Sequence, residues 1–196
     1  MYAFEYQRPD SVAKAVGALS GDARYLAGGQ SLVQSMKLRL SSSSTLVDLA
    51  GIDGLRGISR DGSSVKIGAM TRHSEVARSA AVRAAIPELA HRAGSIGDPM
   101  VRNMGTLGGS IANSDPAADY PAGVLGLGAT VQTDRRSIAA DDFFKDLFTT
   151  ALDAGELIVS VSFPVPQRAA YVKCQQPASR FALVGVCVSQ GASGVR

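Results

Sequence analysis

The chain has 196 residues, of which 45% are apolar and 19% charged, with a formal net charge of +3. That balance belongs to a folded globular protein and excludes a disordered segment, while the absence of a Lys/Arg-rich run and an aromatic content of 6% exclude nucleic acid as a partner. No apolar run approaches the roughly 18 residues of a bilayer-spanning helix, and Met1-Tyr2-Ala3-Phe4-Glu5-Tyr6 lacks the basic-then-apolar pattern of a secretory leader.

In chain order, Phe4 to Tyr6 reads as a short strand closed by Arg8-Pro9. Asp10 or Ser11 then caps a helix whose Val12, Ala15, Val16 and Leu19 fall at i, i+3, i+4 and i+7. Ala23 to Ala27 is a second strand. It leads into Ala27-Gly28-Gly29-Gln30-Ser31-Leu32, a glycine turn from which Ser31 caps a helix running through Leu40, with Leu32, Met36 and Leu40 on one face. After a polar break at residues 41–44, Thr45 to Asp48 is a third strand, which completes a β-α-β-α-β lobe.

Ile58 to Ile67 reads as a hairpin turning at Arg60-Asp61-Gly62-Ser63. Thr71 to Ala93 is mostly helical, interrupted at Pro87; its His73 and His91 are too far apart for one metal motif and read as surface or capping residues. Next comes a stretch from Asp98 to Asp119 with glycines at 105, 108 and 109, hydroxyl residues on both sides and acidic residues downstream. Such a run is either a tight turn or a place where backbone amides converge on an anion, because glycine admits positive φ and close approach. Two glycine stretches, each opening a helical pattern, suit an extended ligand with two phosphates. Neither contains the nucleoside triphosphate pattern Gly-x-x-x-x-Gly-Lys-Ser/Thr or the full Rossmann pattern Gly-x-Gly-x-x-Gly.

Pro116 to Leu127 is helical and Ala129 to Thr133 a strand, followed by the short connection Thr133-Asp134-Arg135-Arg136-Ser137 before Asp141-Asp142-Phe143-Phe144. Leu157 to Phe163, Ala170 to Gln176 and Ala182 to Ser189 are strands punctuated by Pro164 and Pro166. Strands with few intervening helices after Ile58 indicate an α+β second lobe. Cys174 and Cys187 form no Cys-x-x-Cys pair and read as buried thiols of a reducing cytoplasm. Two thiols are too few for an iron–sulfur cluster, which needs four.

Ala27-Gly28-Gly29-Gln30-Ser31-Leu32 together with Ile96-Gly97-Asp98-Pro99, Val101-Arg102-Asn103, Gly105-Thr106-Leu107-Gly108-Gly109-Ser110 and Asp115-Pro116-Ala117-Ala118-Asp119-Tyr120-Pro121 closely resembles the FAD-binding medium subunit of molybdenum hydroxylases. That group includes the xanthine dehydrogenase and carbon monoxide dehydrogenase families. The resemblance runs from about Phe4 to Val188. It implies a two-lobed α+β fold: a small β-α-β lobe over 1–54, a larger mixed antiparallel-sheet lobe over 55–176, and a C-terminal domain truncated or only begun over 177–196. FAD is then held non-covalently between the lobes.

Neither the glycine loop 27–32 nor the loop 105–110 contains lysine or arginine, so the expected partners of the FAD pyrophosphate are the amides of Gly28, Gly29, Gln30, Gly108 and Gly109 with the hydroxyls of Ser31, Thr106 and Ser110. Each bond to a charged acceptor contributes roughly 1.5–3 kcal/mol. Ala27, Leu32 and Leu107 complete the two matched stretches. Asp119 matches the acidic residue of the family that bonds the FAD, and reads equally as a helix-start carboxylate. Lys173 is similar to a family lysine near the flavin, where a cation raises the potential, or is an exposed strand lysine. Ile96 and Ile158 stand where relatives place apolar residues against the flavin, and are as good in a core. Phe181 stands where relatives tend to have a tyrosine over the ring, and Met100 where glutamine is common.

The residues assemble no Ser–His–Asp set, paired carboxylates or metal cluster, so the chemistry falls to the flavin. The implied partners are a large subunit with the molybdenum (molybdopterin) cofactor, a small subunit with two [2Fe–2S] clusters, and an external electron acceptor. The alternatives are a free-standing two-lobed flavin oxidase and a structural adaptor without flavin.

Overall fold

The computed structural model describes residues 1–192 and 194–196. The chain begins with β1 (Glu5–Gln7), α1 (Val12–Gly17), β2 (Arg24–Leu26), α2 (Leu32–Lys37) and β3 (Thr45–Asp48). The three strands form a parallel sheet in the order β1-β3-β2. Parallel neighbours need a crossover, and the two helices provide it. Ser11 caps α1 by accepting from the Lys14 N–H, and the fully buried Ala15 turns toward Val47, Leu49, Ile52 and Leu55 as the i, i+3, i+4 spacing requires.

The second helix is shorter than its sequence suggests. α2 stops at Lys37, Arg39 takes φ +58°, and Leu40 is 77% exposed rather than on a buried face. Only Met36 finds a core at that end, so no burial supports a further turn. Ser31 has φ −113° and ψ −56° and makes no cap bond.

The next sheet is built from β4 (Ile58–Asp61) and β5 (Ser64–Gly68), then, after the helices α3 (His73–Arg78), α4 (Ala80–Ala85), α5 (Pro87–Ser95), α6 (Pro99–Met104), α7 (Leu107–Asn113) and α8 (Asp119–Gly126), from β6 (Thr130–Thr133) and β7 (Ser137–Ala139). A short α9 (Ala140–Phe143) and the ribbon β8 (Phe144–Asp146) and β9 (Thr149–Thr150) precede β10 (Ile158–Pro164). The sheet is antiparallel in the order β4-β5-β10-β6-β7. Inward residues Val65, Ile67, Val131, Val161 and Phe163 meet Leu89 of α5, Leu107 and Ile111 of α7 and Val124 of α8 in one core. The helical stretch is cut at Ser79 as well as at Pro87: the Ser79 side chain caps α4, and Pro87 opens α5, where its missing N–H costs nothing.

The chain closes with β11 (Arg168–Gln175), β12 (Ala182–Gly191) and β13 (Gly194–Val195), an antiparallel sheet in that order. The expected boundary between 176 and 177 therefore falls in the connection between β11 and β12 and would divide one hairpin. β12 is a middle strand, and its exposed apolar surface is a face, carrying Val184, Val186 and Val188 beside Val172 of β11.

The connection between β6 and β7 is held through Arg136, which pairs with Glu156 at 2.8 Å and with Asp153 at 3.2 Å. The Arg136 guanidinium donates to both carboxylate oxygens of Glu156 at 3.0 and 2.8 Å, while the Thr133 hydroxyl and the Asp153 N–H also donate to that carboxylate. The bonds from Arg136 outweigh burial and push the Glu156 pKa down to about 2 from an ordinary 4.5. An unfolded chain thus takes up this proton before the folded one. The pair stabilises the fold above about pH 4.5 and loses that contribution as pH falls toward about 2. Thermal unfolding followed across this window should show the midpoint falling with pH, and falling less steeply in Glu156→Gln, which at neutral pH should itself lose roughly 1–3 kcal/mol. Identical slopes would show that Glu156 is not the group responsible.

Candidate functional site

Between the parallel sheet and the five-stranded sheet lies a cleft of about 440 Å³, within the roughly 300–1,000 Å³ typical of small-molecule sites. Its floor is a contact between two backbones. A Cβ on Gly28 would lie 2.2 Å from the Met104 carbonyl oxygen and 2.7 Å from the Gly105 Cα, so only glycine lets the loop after β2 meet the turn between α6 and α7. Gly108 serves a similar purpose one turn on, where a Cβ would lie 2.6 Å from that of Ala69.

The second glycine stretch does not form the amide cradle expected of it. Thr106 is the N-cap of α7, and Gly108 and Gly109 lie in its first turn. Their amides are already bonded: Leu107 N–H to the Thr71 carbonyl at 3.1 Å, Gly108 N–H to the Ala69 carbonyl at 2.8 Å, Gly109 N–H to the Thr106 hydroxyl at 3.2 Å, and Ser110 N–H to the Thr106 carbonyl at 3.0 Å. The Leu107 side chain is buried in the core, away from the cleft. What this stretch presents to the cleft is Thr106, Gly108, Gly109 and Ser110 as wall, with the Thr106 and Ser110 hydroxyls as polar groups.

The first stretch differs from the second. Gly29 takes φ +70°, a conformation that side-chain-bearing residues rarely adopt. Gln30 braces the turn through its side-chain N–H to the Gly28 carbonyl at 3.2 Å. Among the described residues, the N–H groups of Gly29, Gln30, Ser31 and Leu32 have no acceptor. Gly29, Gln30 and Leu32 are half-buried and Ser31 is exposed; as the amides leading into a helix they have no partner within it, and on a cleft wall they offer donors to an anionic acceptor. Ala27, Gly28, Gly29, Gln30, Ser31 and Leu32 all line the cleft.

At the far end, Asp119 opens α8 and is 5% exposed. Its carboxylate accepts from the Tyr171 hydroxyl at 2.7 Å and pairs with the Lys173 ammonium at 2.9 Å, which also donates to the Ser95 carbonyl at 3.3 Å. Its backbone carbonyl accepts from Arg92 at 2.9 Å. Arg92 is fully buried, paired with Glu88, and its guanidinium stacks 3.9 Å from the Tyr171 ring centroid. Burial, with the bond to Asp119 second, raises the Tyr171 pKa. Asp119 reaches the cleft, whereas Lys173 stands behind it and does not line it. Ile96 and Ile158 line the cleft while also contributing to the core, and Phe181, 52% exposed, stands at the lip.

His73 departs from the expectation of a surface or capping residue. It is 5% exposed, lines the cleft beneath Gly105, and is held neutral by a pKa lowered to about 4, first by burial and then by the Arg102 charge. Arg24, Tyr25, Met70 and Leu157 also line the cleft. Tyr25 and Leu157 lie in or beside strands whose alternation marks one buried face, but nothing in their spacing indicates which cavity that face adjoins.

Residues 2–166 match the family described as FAD binding domain in molybdopterin dehydrogenase. The chain belongs to that family. It is the FAD-binding component of an oxidoreductase of the molybdopterin-dehydrogenase class. The match ends just before β11 begins at Arg168. The chain is 40% identical over 201 aligned residues to the carbon monoxide dehydrogenase medium chain of Hydrogenophaga pseudoflava, covering 97% of this chain and 70% of that one. It is 37% identical to the glyceraldehyde dehydrogenase medium chain of Sulfolobus acidocaldarius, covering 95% and 69%. Among solved structures, quinoline 2-oxidoreductase from Pseudomonas putida 86 superposes with a TM-score of 0.92 at 34% identity, covering 96% of this chain and 68% of that one.

The FAD-binding family gives the floor contact its importance. Gly28→Ala should force the Met104–Gly105 backbone away and lower stability by roughly 1–3 kcal/mol, the usual cost of overpacking, together with flavin content. Gly109→Ala, whose Cβ would meet the Thr106 hydroxyl at 3.0 Å and the Ala27 Cβ at 3.2 Å, should cost less. Unfolding midpoints and flavin absorbance of the two variants check this ordering; a Gly28→Ala protein as stable and as yellow as wild type would contradict it.

Proposed function

We propose that this chain binds one FAD non-covalently in the cleft and acts as an electron-transfer subunit, taking electrons from [2Fe–2S] clusters in a small partner subunit and delivering them to an external acceptor. The substrate-oxidising centre then lies in a large partner subunit with the molybdenum cofactor. The observation that carries the reading is the row of four unpaired amides from Gly29 to Leu32 on the wall of a nucleotide-sized cleft in a chain of the FAD-binding family. The relatives named medium chains of carbon monoxide and glyceraldehyde dehydrogenases support a partnered subunit. Cys174 is exposed and Cys187 half-buried, not the buried thiols expected from the sequence; both are free, which fits a reducing cytoplasmic setting. We also place the start of the C-terminal unit at β11, leaving 1–54 and 55–167 as the two flavin-binding lobes.

When bound, the isoalloxazine supplies one- and two-electron redox chemistry. In this reading the amides of Gly29, Gln30, Ser31 and Leu32 hold the diphosphate, with the hydroxyls of Ser31, Thr106 and Ser110 beside them. Ala27, Gly28, Gly108 and Gly109 form the wall that brings the ligand close to backbone. Ile96 and Ile158 exclude water from the ring, and Phe181 covers its face at the lip. Asp119 would offer a carboxylate to a ligand hydroxyl, with about half of its roughly four lone-pair sites already taken by Tyr171 and Lys173. Lys173 and Asp119 form a neutral pair, so the lysine offers an oriented donor more than a net positive charge, and its influence on the potential is smaller than that of a free cation.

Heat or acid should release intact FAD into the supernatant, because among the described residues no cysteine lines the cleft and its one histidine, His73, is buried beneath Gly105. Under anaerobic conditions the oxidisable substrate alone should leave the flavin absorbance unchanged. Bleaching should begin only after the iron–sulfur and molybdenum subunits are added. Flavin retained on precipitated protein would contradict non-covalent binding, and bleaching by substrate alone would favour a free-standing oxidase.

A further inference from the structure

The residues lining the cleft include three carboxylates, Asp115, Asp119 and Glu156, and a single lysine or arginine, Arg24. The carboxylates are accounted for within the fold. Asp119 pairs with Lys173 at 2.9 Å and Glu156 with Arg136 at 2.8 Å, while Asp115 accepts from the Ala117 N–H at 2.9 Å. Arg24 is different: among the described residues it takes part in none of the ion pairs, and the carboxylate that feels its charge, Asp22, is exposed and already bonded to Ser44. It is exposed, and it opens β2, the strand that runs directly into the turn at Gly28 and Gly29.

We propose that Arg24 is a ligand-contacting residue whose guanidinium pairs with the diphosphate of the bound dinucleotide, a contact outside both glycine stretches. The inference rests on the flavin reading above. Amides supply dipoles but no formal charge, and a diphosphate brings two negative charges into a cleft where Asp119 and Glu156 are ion-paired but Asp115 is held only by a backbone N–H. A guanidinium supplies the formal positive charge that the amides lack. An exposed one at the rim has little hydration to lose and sits where charge acts on association rate and salt dependence.

The test is a fluorescence titration of flavin-stripped protein with FAD, and a competition with ADP, which carries the diphosphate without the flavin ring. Both are run at low and high ionic strength, from about 50 mM to about 500 mM salt. Arg24→Ala should weaken FAD and ADP alike, by roughly five- to tenfold at low salt and much less at high salt. Arg24→Lys should recover most of the loss, and the unfolding midpoint of either variant should match wild type because the side chain is exposed. Wild-type affinity for both ligands in Arg24→Ala would overturn the inference while leaving the flavin reading intact. A loss equal at both salt concentrations, or one that Arg24→Lys does not recover, would also overturn it. A wild-type protein that binds neither ligand would sink the flavin reading, and this inference with it.

Discussion

The site depends on one steric constraint, the contact of the Gly28 backbone with the backbone of Met104 and Gly105. It brings the loop after β2 against the turn between α6 and α7, backbone to backbone, beside the packing of Met70, Leu157 and Val159 against Val47 and Leu49. Van der Waals packing at that distance leaves no room for adjustment, so the width of the cleft at this point depends on the absence of a Cβ on Gly28. Gly108 against Ala69 repeats the constraint deeper in the wall. The glycines of the second stretch therefore act first on the protein itself, by close packing, and only indirectly on a ligand.

The far end of the cleft is set by electrostatics. Glu88, Arg92, Asp119 and Lys173 form a buried set with two charges of each sign, joined to the C-terminal sheet through the Tyr171 hydroxyl and ring. Such an arrangement contributes little net stability over an apolar one, because desolvation offsets attraction, but leaving any member unpaired is costly. Its structural effect is to hold β11 in one orientation against α5 and α8. Gly185 belongs to the same arrangement, since a Cβ there would lie 2.4 Å from the Tyr171 hydroxyl.

These two constraints divide the chemistry of the cleft. The end nearer β2 offers unpaired amides and an unpaired guanidinium, a donor set for anions. The end nearer β11 offers apolar surface from Ile96, Ile158 and Phe181 and a carboxylate whose partners are internal. A dinucleotide with a charged middle and a flat redox-active ring has the matching asymmetry. The exposed face of Val172, Val184, Val186 and Val188 lies on the outer side of the same C-terminal sheet.

Much of this was legible in the sequence, because it depends on local preferences. The β-α-β-α-β order, the 58–67 hairpin, the helix cap at Ser11 and the later strands follow from periodicity and turn chemistry that neighbouring residues decide among themselves. The family could be read from the two glycine stretches and the Asp-Pro-Ala-Ala-Asp segment, since backbone approach restricts residue type at particular positions. Tertiary structure alone decided what each group in those stretches does. The sequence marks Gly108 as special but cannot say whether its amide faces a ligand or the Ala69 carbonyl, because that partner is 39 positions away along the chain. The same holds for Asp119, whose partners Tyr171 and Lys173 arrive from a later sheet, for His73, buried only once Gly105 packs over it, and for Leu40, exposed because nothing comes to cover it. Burial and pairing are properties of distant neighbours, and spacing within one segment carries no information about them.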